Sequence, residues 1–175
     1  ICNGSPAGDS VPALIAAGCI ALIAGPNGKR EIPIEEFHIG PGKTVLDNGE
    51  MLVSLKFPKR EINSSDTYLR MTPRTEMDIA VVGCGVNITF ENNVCTAARV
   101  SLGAVAPTPL LIKEASKIMV GSDLNSEILD KVSKICMDFC DPIDDKRGTI
   151  DYRTKVAGVL FKRATLTTID RIKGN

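Results

Sequence analysis

Residues 79–105 read IAVVGCGVNITFENNVCTAARVSLGAV, and this stretch decides the fold class. Its two halves, residues 79–90 and 94–105, are rich in β-branched residues and flank the polar turn Glu91-Asn92-Asn93. Two such runs joined by a short polar turn predict an antiparallel hairpin of two long strands. Gly83 and Gly85 lie inside the first strand, where glycines mark a bulge or close packing against another part of the chain.

Three predicted helices follow this hairpin. The second is expected to begin with a cap at Asn125 or Ser126, and the third begins after Thr149 or Asp151. The first has apolar residues at helical spacing, namely Leu110, Leu111, Ala115, Ile118 and Met119. A sheet followed by helices is typical of an α+β fold, so we expect three helices packed on or beside an antiparallel sheet.

The residues before the long hairpin predict a shorter hairpin and one further strand. Residues 19–24 and 30–34 are predicted strands that meet at Pro26-Asn27-Gly28, because Asn-Gly is the strongest short hairpin signal. Residues 51–57 alternate in character, so one side of that strand is expected to be buried, namely Met51, Val53, Leu55 and Phe57.

Two predicted linkers separate these elements. Residues 35–42 are an irregular, glycine-rich linker, and we expect its histidine, His38, at the surface without a catalytic role. The polar run 59–66 is the best candidate for a domain boundary. It is expected to be a solvated linker with no chemistry of its own.

The first ten residues, ICNGSPAGDS, form a polar loop that leads into a short predicted helix over 11–17. Asp9 or Ser10 is expected to cap this helix, and Gly18 suits the left-handed position just past its end. A polar, glycine-containing loop on a helix N-terminus collects N–H groups that can bind an anion or sugar hydroxyls. The alternative is an ordinary connecting loop that caps the helix.

Composition excludes several classes of protein. The 21 basic residues balance the 21 acidic residues, which argues against partners such as nucleic acid or anionic lipid. The sequence has no signal peptide and no apolar run long enough for a membrane span, so a cytoplasmic protein is expected. The 6 cysteines form no CxxC pair and there is 1 histidine, which argues against zinc or iron–sulfur ligation by this chain. We find no P-loop, GxGxxG motif or nucleophile–base pair, and therefore predict no catalytic residue.

Five segments of the chain carry a family resemblance: Ile1-Cys2-Asn3-x-Ser5-Pro6-x-x-Asp9, Phe37-x-x-Gly40-Pro41-x-x-Thr44, EMLVSLKFP at 50–58, Tyr68-Leu69-Arg70-x-x-x-Arg74-x-x-Met77-Asp78-Ile79-Ala80-Val81-Val82, and Tyr152-Arg153-x-x-Val156-Ala157-Gly158-Val159-Leu160. In this order they resemble the FAD-binding (medium) subunit of molybdenum hydroxylases, the xanthine and carbon monoxide dehydrogenase flavoprotein family. The resemblance implies the C-terminal part of an FAD-binding domain over 1–60 and a flavoprotein C-terminal domain over 66–173. The Gly-Gly-Asn turn and the first flavin-binding loop of the family are missing, so about half of a flavin site is expected.

The resemblance also implies which residues would contact the cofactor. Asp9 would accept hydrogen bonds from ribityl hydroxyls, although it could equally be a plain helix cap. Asn3 and Ser5 would offer polar partners from the same loop, or would merely brace the turn. Leu52 would pack close to the flavin, although strand alternation alone would make it a core residue. Arg70 stands where the family usually has lysine near the isoalloxazine ring, so the cation is kept while its reach and hydrogen-bond geometry differ.

Two further positions near Arg70 bear on this reading. Pro73 stands where the family often has a second basic residue, which weakens the local electrostatic argument. Arg74 and Asp78 have opposite charges and lie four residues apart, so we expect them to pair and to have a structural role.

The function implied by the resemblance is electron transfer within an oxidoreductase complex. FAD on this subunit would pass electrons from 2Fe-2S clusters on a small subunit to an acceptor such as NAD. A large subunit would carry the molybdopterin cofactor and the substrate. This chain alone is expected to be inactive.

Two other classes stay open at this stage. One is a non-catalytic subunit-docking module that has lost flavin binding. The other is an unrelated α+β domain that binds a small molecule, with the series of motifs a coincidence.

Overall fold

The structure, a computed structural model, describes residues 1–75 and 78–174, so Met77 of the fourth resembling segment lies outside it. The first part of the chain contains helix α1 (Ser10–Ala16) and strands β1 (Ile20–Gly25), β2 (Gly28–Pro33), β3 (His38–Gly40), β4 (Lys43–Thr44) and β5 (Met51–Lys56). β1 is the central strand of an antiparallel sheet with the order β2-β1-β5. A small core holds this part together and includes Val11, Ile15, Ile23, Ile34 and Phe37.

The predicted Asn-Gly hairpin is confirmed. β1 pairs with β2 from Ile20 opposite Pro33 to Gly25 opposite Gly28. Gly28 has a φ of 108°, which a residue with a side chain rarely adopts, so glycine is required at the end of this turn.

The predicted linker over 35–42 is more ordered than expected, and the prediction that His38 lies at the surface is wrong. A 3₁₀ turn at Ile34–Glu36 leads into the short antiparallel pair of β3 and β4. His38 is buried, and its Nε2 lies 3.0 Å from the carbonyl oxygen of Ile1. The segment therefore packs against the N-terminal loop, a contact between residues far apart in sequence.

The predicted buried side of β5 is wrong for three of its four residues. Leu22 pairs with Ser54 and Ile23 with Leu52, so Val53 is the extra residue of a β-bulge. A bulge changes which residues face the core, and Leu52 now packs against it together with Leu55. Of the side expected to be buried, three residues are instead exposed: Met51 by 62%, Val53 by 45% and Phe57 by 59%.

The second part of the chain is a four-stranded antiparallel sheet followed by helices, which confirms the α+β fold class. Its strands, in order across the sheet, are β6 (Ser64–Met71), β7 (Val82–Glu91), β8 (Val94–Gly103) and β9 (Leu110–Leu111). The long hairpin is β7 and β8, and Asn92 and Asn93 at its turn adopt positive φ values of 49° and 64°. Asparagine tolerates this conformation better than most residues, which explains the Asn-Asn pair.

The three predicted helices are α2 (Lys113–Met119), α3 (Ser126–Asp138) and α4 (Ile150–Lys173). Asn125 caps α3 by accepting a hydrogen bond from the Ile128 N–H, and Thr149 caps α4 by accepting one from the Tyr152 N–H. Two expectations fail. Leu110 and Leu111 belong to β9 rather than to a helix, and β6 begins inside the run 59–66 that was expected to be a solvated linker. Both strands form because a neighbouring strand pairs with them, which local polarity does not reveal.

Two different layers cover the second sheet. Alternate residues of β7, namely Cys84, Val86 and Ile88, share one core with the buried faces of α2, α3 and α4. Gly85 points to the other face, where a Cβ atom would lie 2.6 Å from the Pro12 carbonyl oxygen. Helix α1 therefore lies directly on the sheet, and the close packing predicted for this glycine is confirmed. The start of α1 is thereby held beside β6 and β7.

Candidate functional site

The N-terminal loop has a conformation that requires glycine. Gly4 has a φ of 60°, and a Cβ atom there would lie 2.6 Å from the backbone nitrogen of Lys43. The Gly4 N–H donates to the Ile1 carbonyl oxygen at 3.0 Å, and the Gly4 carbonyl accepts from Gly42 at 2.9 Å. The loop is thus closed on itself and held against the turn between β3 and β4.

Asp9 lies at the start of α1, but its side chain does not cap the helix, so that expectation is wrong. Its carboxylate instead accepts a hydrogen bond from the Tyr68 hydroxyl at 3.1 Å and pairs with the Arg70 guanidinium. The side chains of Asp9 and Arg70 are 41% and 38% exposed. Two of the residues predicted to contact the cofactor are therefore in contact with each other, and both remain accessible from solvent.

Tyr68 is a site residue that the sequence reasoning missed. Burial, together with the negative charge of Asp9, raises the pKa of the Tyr68 hydroxyl, so it stays protonated and keeps donating to Asp9. The signal in the sequence was the spacing, because Tyr68 and Arg70 are two residues apart on one strand and so share a face. Gly83 on β7 makes room for this ring, since a Cβ atom there would lie 2.8 Å from the Tyr68 hydroxyl.

The other three predicted site residues make no hydrogen bond with Asp9 or Arg70 among the described contacts. Asn3 and Ser5 are exposed on the loop, and the Ser5 hydroxyl accepts a hydrogen bond from the Ala7 N–H at 3.3 Å, which braces the turn. Leu52 is half-buried against the core of the first part, as strand packing alone would place it.

A second group of charged residues is centred on Asp78, which lies just before β7 in the sequence. The Asp78 carboxylate is only 5% exposed; it lies 3.4 Å from Arg74 and 3.3 Å from Arg147. Although burial alone would raise it, the pKa of Asp78 is lowered by the hydrogen bond from the Ile79 N–H and by the two arginines. Arg74 and Asp78 thus pair as expected.

An open, mainly apolar pocket of about 240 Å³ adjoins the loop. Pro6 and Ala7 of the loop line it, together with Ala104 and Pro107 after β8. Arg153 also lines it; this side chain is buried and donates to the carbonyl oxygens of Val81 and Ala104 and to Asp145. The Arg153 guanidinium and these acceptors are therefore already paired with one another.

Within residues 1–75 and 78–174, no group of three or more histidine, cysteine, aspartate or glutamate side chains has the arrangement of a metal site. In the same part of the chain, no helix is long and apolar enough to cross a membrane. The candidate site is therefore the N-terminal loop with the Asp9–Tyr68–Arg70 cluster.

Comparison with known proteins covers both parts of the chain. Residues 67–168 match the family described as CO dehydrogenase flavoprotein C-terminal domain, and residues 1–60 match the FAD binding domain in molybdopterin dehydrogenase. The carbon monoxide dehydrogenase medium chain of Afipia carboxidovorans is 33% identical over 163 residues, which are 93% of this chain and 56% of that protein. The putative xanthine dehydrogenase FAD-binding subunit of Escherichia coli K12 is 28% identical, over 93% of this chain and 56% of its own length.

Solved structures agree with these matches. The reconstituted CO dehydrogenase from Oligotropha carboxidovorans is similar with a TM-score of 0.92 and 30% identity, over 97% of this chain and 59% of that one. The carbon monoxide dehydrogenase from Hydrogenophaga pseudoflava gives a TM-score of 0.93 and 29% identity, over 97% and 58%. The chain thus spans somewhat more than half the length of each of these four chains.

Proposed function

The chain belongs to the CO dehydrogenase flavoprotein family, and from this premise we propose that it forms part of an FAD-binding subunit that relays electrons within a molybdenum hydroxylase. Electrons from 2Fe-2S clusters would pass through FAD to an acceptor such as NAD. The observation that carries the proposal is the Asp9–Tyr68–Arg70 cluster, which holds a carboxylate and a cation at a glycine-dependent loop.

The residues present fit the FAD they would hold. A carboxylate has about four sites at which it accepts hydrogen bonds, and Tyr68 and Arg70 approach different oxygens of Asp9. The carboxylate is partly exposed and so keeps room to accept from ribityl hydroxyls. Gly4 lets the loop pass close to the 42–43 turn without a side chain in the way, and exposed Asn3 and Ser5 offer further polar groups along it.

Arg70 would supply positive charge beside the isoalloxazine ring. FAD supplies the redox chemistry when bound, and the chain sets its position and electrostatic surroundings. The guanidinium of Arg70 is oriented by Asp9, which fixes where the charge lies. Leu52, half-buried at a bulged strand, would contact the flavin only through its exposed part.

The partners of the subunit follow from the same premise. A large subunit would hold the molybdenum cofactor and a small subunit the 2Fe-2S clusters, and the matched carbon monoxide dehydrogenase chains are themselves named medium chains. The complex would be cytoplasmic, which is consistent with free cysteines at all six positions.

Flavin content tests the proposal. The native gene product, purified with any further residues it has, is expected to carry FAD, which visible absorption detects. Replacing Asp9 by Ala is expected to weaken the affinity for FAD by about tenfold, because hydrogen bonds to a charged group are among the strong ones. The FAD content per purified subunit is expected to fall as a result. The matched control is Asp138→Ala, at an exposed position in the last turn of α3.

Each outcome of this experiment has a meaning. Native protein that carries no FAD and binds none when it is added would contradict the proposal and favour the docking module. Equal FAD content in the two variants would keep the flavoprotein assignment but remove Asp9 from the site.

A further inference from the structure

The outward face of α4 carries a regular row of apolar and cationic side chains. Tyr152, Val159 and Leu166 are exposed by 39%, 45% and 51%, and they follow one another at seven-residue steps. Lys155 and Arg163 are exposed at the turns between them. We name these five residues the α4 row.

The spacing places all five side chains along one side of the helix. Seven residues are almost two turns of an α-helix, so positions seven apart drift by only about 20°. Fourteen residues cover about 21 Å along the axis at about 1.5 Å per residue. Lys155 lies three residues after Tyr152 and four before Val159, and Arg163 lies four after Val159 and three before Leu166, so the row alternates apolar and basic groups.

Packing within the domain does not explain the apolar residues on this outward face of α4. The buried face of α4, which includes Ala157, Leu160, Phe161 and Ala164, already packs on the sheet and on α3. The opposite face of a surface helix is normally polar throughout. Single exposed apolar residues are common, but these three follow one another along one side of the helix and leave an apolar strip exposed to solvent.

The charges on the row indicate what kind of partner would fit. Among the ion pairs of the described residues, neither Lys155 nor Arg163 has an acidic partner, whereas neighbouring Lys162 pairs with Asp130 of α3. The acidic residues on this side, Asp151 and Asp170, lie at the two ends of the helix. The middle of the row is therefore positive and apolar.

A second copy of this chain does not fit this surface. In a two-fold symmetric dimer the same patch meets itself, so Lys155 and Arg163 of one copy would approach those of the other. Like charges held together oppose association.

We propose that the α4 row is a docking surface for an amphipathic helix with acidic flanks on a neighbouring subunit of the complex. The apolar residues of that helix would pack between Tyr152, Val159 and Leu166, and its carboxylates would pair with Lys155 and Arg163. The proposal rests on the proposed function, because it is that function which gives the chain partner subunits.

The test uses the complex purified from cells that make all of its subunits. In the variant Val159→Asp, retention of the molybdenum and iron–sulfur subunits is expected to weaken by about tenfold or more, because a charge then occupies the centre of the interface. The matched control is Val120→Asp, since Val120 is also a valine that is 45% exposed but lies after α2. Thermal unfolding of both variants checks that the fold is kept.

A charge reversal examines the electrostatic part. Lys155→Glu with Arg163→Glu is expected to weaken retention as well and to remove part of its dependence on salt. The control is Lys131→Glu with Lys134→Glu, two exposed lysines on α3.

The outcomes separate the two claims. Equal retention of partner subunits by Val159→Asp and Val120→Asp would overturn the docking surface while the flavoprotein assignment stands. A native protein that associates with no molybdenum or iron–sulfur subunit would overturn the proposed function and the docking surface with it. The remaining outcome is that the native protein sediments with phosphatidylserine vesicles and the variants of the α4 row do not, while both variants keep their partner subunits. This result would assign the α4 row to lipid binding and overturn the proposal.

Discussion

Asp9 at the start of α1 and Arg70 on β6 form an ion pair that joins the two parts of the chain across 61 positions of sequence. The pair sits where α1 packs on the sheet of the second part, with Tyr68 donating to the same carboxylate. The packing of a helix on a sheet therefore holds together a carboxylate from a loop and a guanidinium from a strand. The arrangement makes the candidate site depend on both parts.

The first prediction concerns the charge of Arg70. Replacing Arg70 by Gln is expected to lower the midpoint potential of bound FAD by about 30 mV, which corresponds to about 1.4 kcal/mol for two electrons. The reason is that a cation near the ring favours negative charge on it. Spectroscopic redox titration of the native flavoprotein measures the change. Arg74→Gln, which removes an arginine paired with Asp78 instead, is the control, and an equal shift in both variants would contradict the prediction.

The second prediction concerns the contact of α1 with the sheet. A methyl group at Gly85 would lie 2.6 Å from the Pro12 carbonyl oxygen and 2.7 Å from the Ser101 hydroxyl. Gly85→Ala is therefore expected to lower the free energy of unfolding by about 1–3 kcal/mol. Urea denaturation measures it, with Gly40→Ala as the control, because its nearest neighbours would be 3.9 Å away. A stability equal to that of the control would show that α1 can move aside freely.

The third prediction concerns Arg153, which is buried at the start of α4. Its guanidinium donates to Asp145 at 2.6 Å and to the Val81 carbonyl oxygen at 2.7 Å. Arg153→Met would remove the guanidinium from the buried Val81 carbonyl oxygen, whereas Asp145 would keep its hydrogen bonds from the Arg147 and Gly148 N–H groups. We therefore expect a loss of about 1–3 kcal/mol. Arg163→Met, on the exposed side of the same helix, is expected to change stability by less than about 0.5 kcal/mol. Similar unfolding midpoints for the two variants would contradict the buried role.

The fourth prediction is a dependence on pH. Arg30 donates to both carboxylate oxygens of Glu50, and this hydrogen bonding lowers the pKa of Glu50 from 4.5 to about 2. A depressed folded-state pKa stabilises the fold fully above the unfolded value, and the contribution is lost as the pH falls toward the folded value.

The difference in unfolding free energy between the native chain and Glu50→Gln is therefore expected to be constant above about pH 5 and to shrink between about pH 4.5 and pH 2. Urea denaturation at several pH values measures this difference. Glu61→Gln, at an exposed position, is the control. A difference for Glu50→Gln that does not change over this range would exclude the pairing with Arg30 as its cause.

The fifth prediction concerns the thiols. Cys2 is exposed, Cys140 is half-buried and the other four are buried. Burial raises the pKa of Cys136 to about 12, and it also raises the pKa of Cys84. Because the thiolate is the reactive form, a maleimide at about pH 7.5 is expected to modify Cys2 first, as peptide mass spectrometry would detect. Rapid modification of Cys84 would contradict its position in the core.

Local features of the fold could be predicted because a few neighbouring residues determine them. Asn92 and Asn93 accept positive φ at the long hairpin, Gly28 does so at the short one, and Asn125 and Thr149 cap their helices with their own side chains. The α+β order followed from the change of apolar period after the hairpin, and the family followed from motifs spread along the chain.

The failures share a different cause. β6 contains Ser64, Ser65 and Asp66, which have low strand propensity, yet they pair with β7. Val53 was expected to be buried, but a bulge against β1 turns it outward. His38 is buried because the N-terminal loop covers it. In each case the outcome depends on a partner strand or loop that the local pattern does not contain.

The sequence by itself therefore determined the turns, the caps of α3 and α4, the class of fold and the family, since these depend on residues near one another or on motifs that can be read in order. Only the tertiary structure decided that the Asp9 side chain bonds to Tyr68 and Arg70 rather than capping its own helix. It also decided that Leu52 and Leu55 both pack against the core. The physical reason is that a side chain takes the partner that packing brings within reach. For Asp9 that partner comes from a strand that lies beside it only after α1 has packed on the sheet.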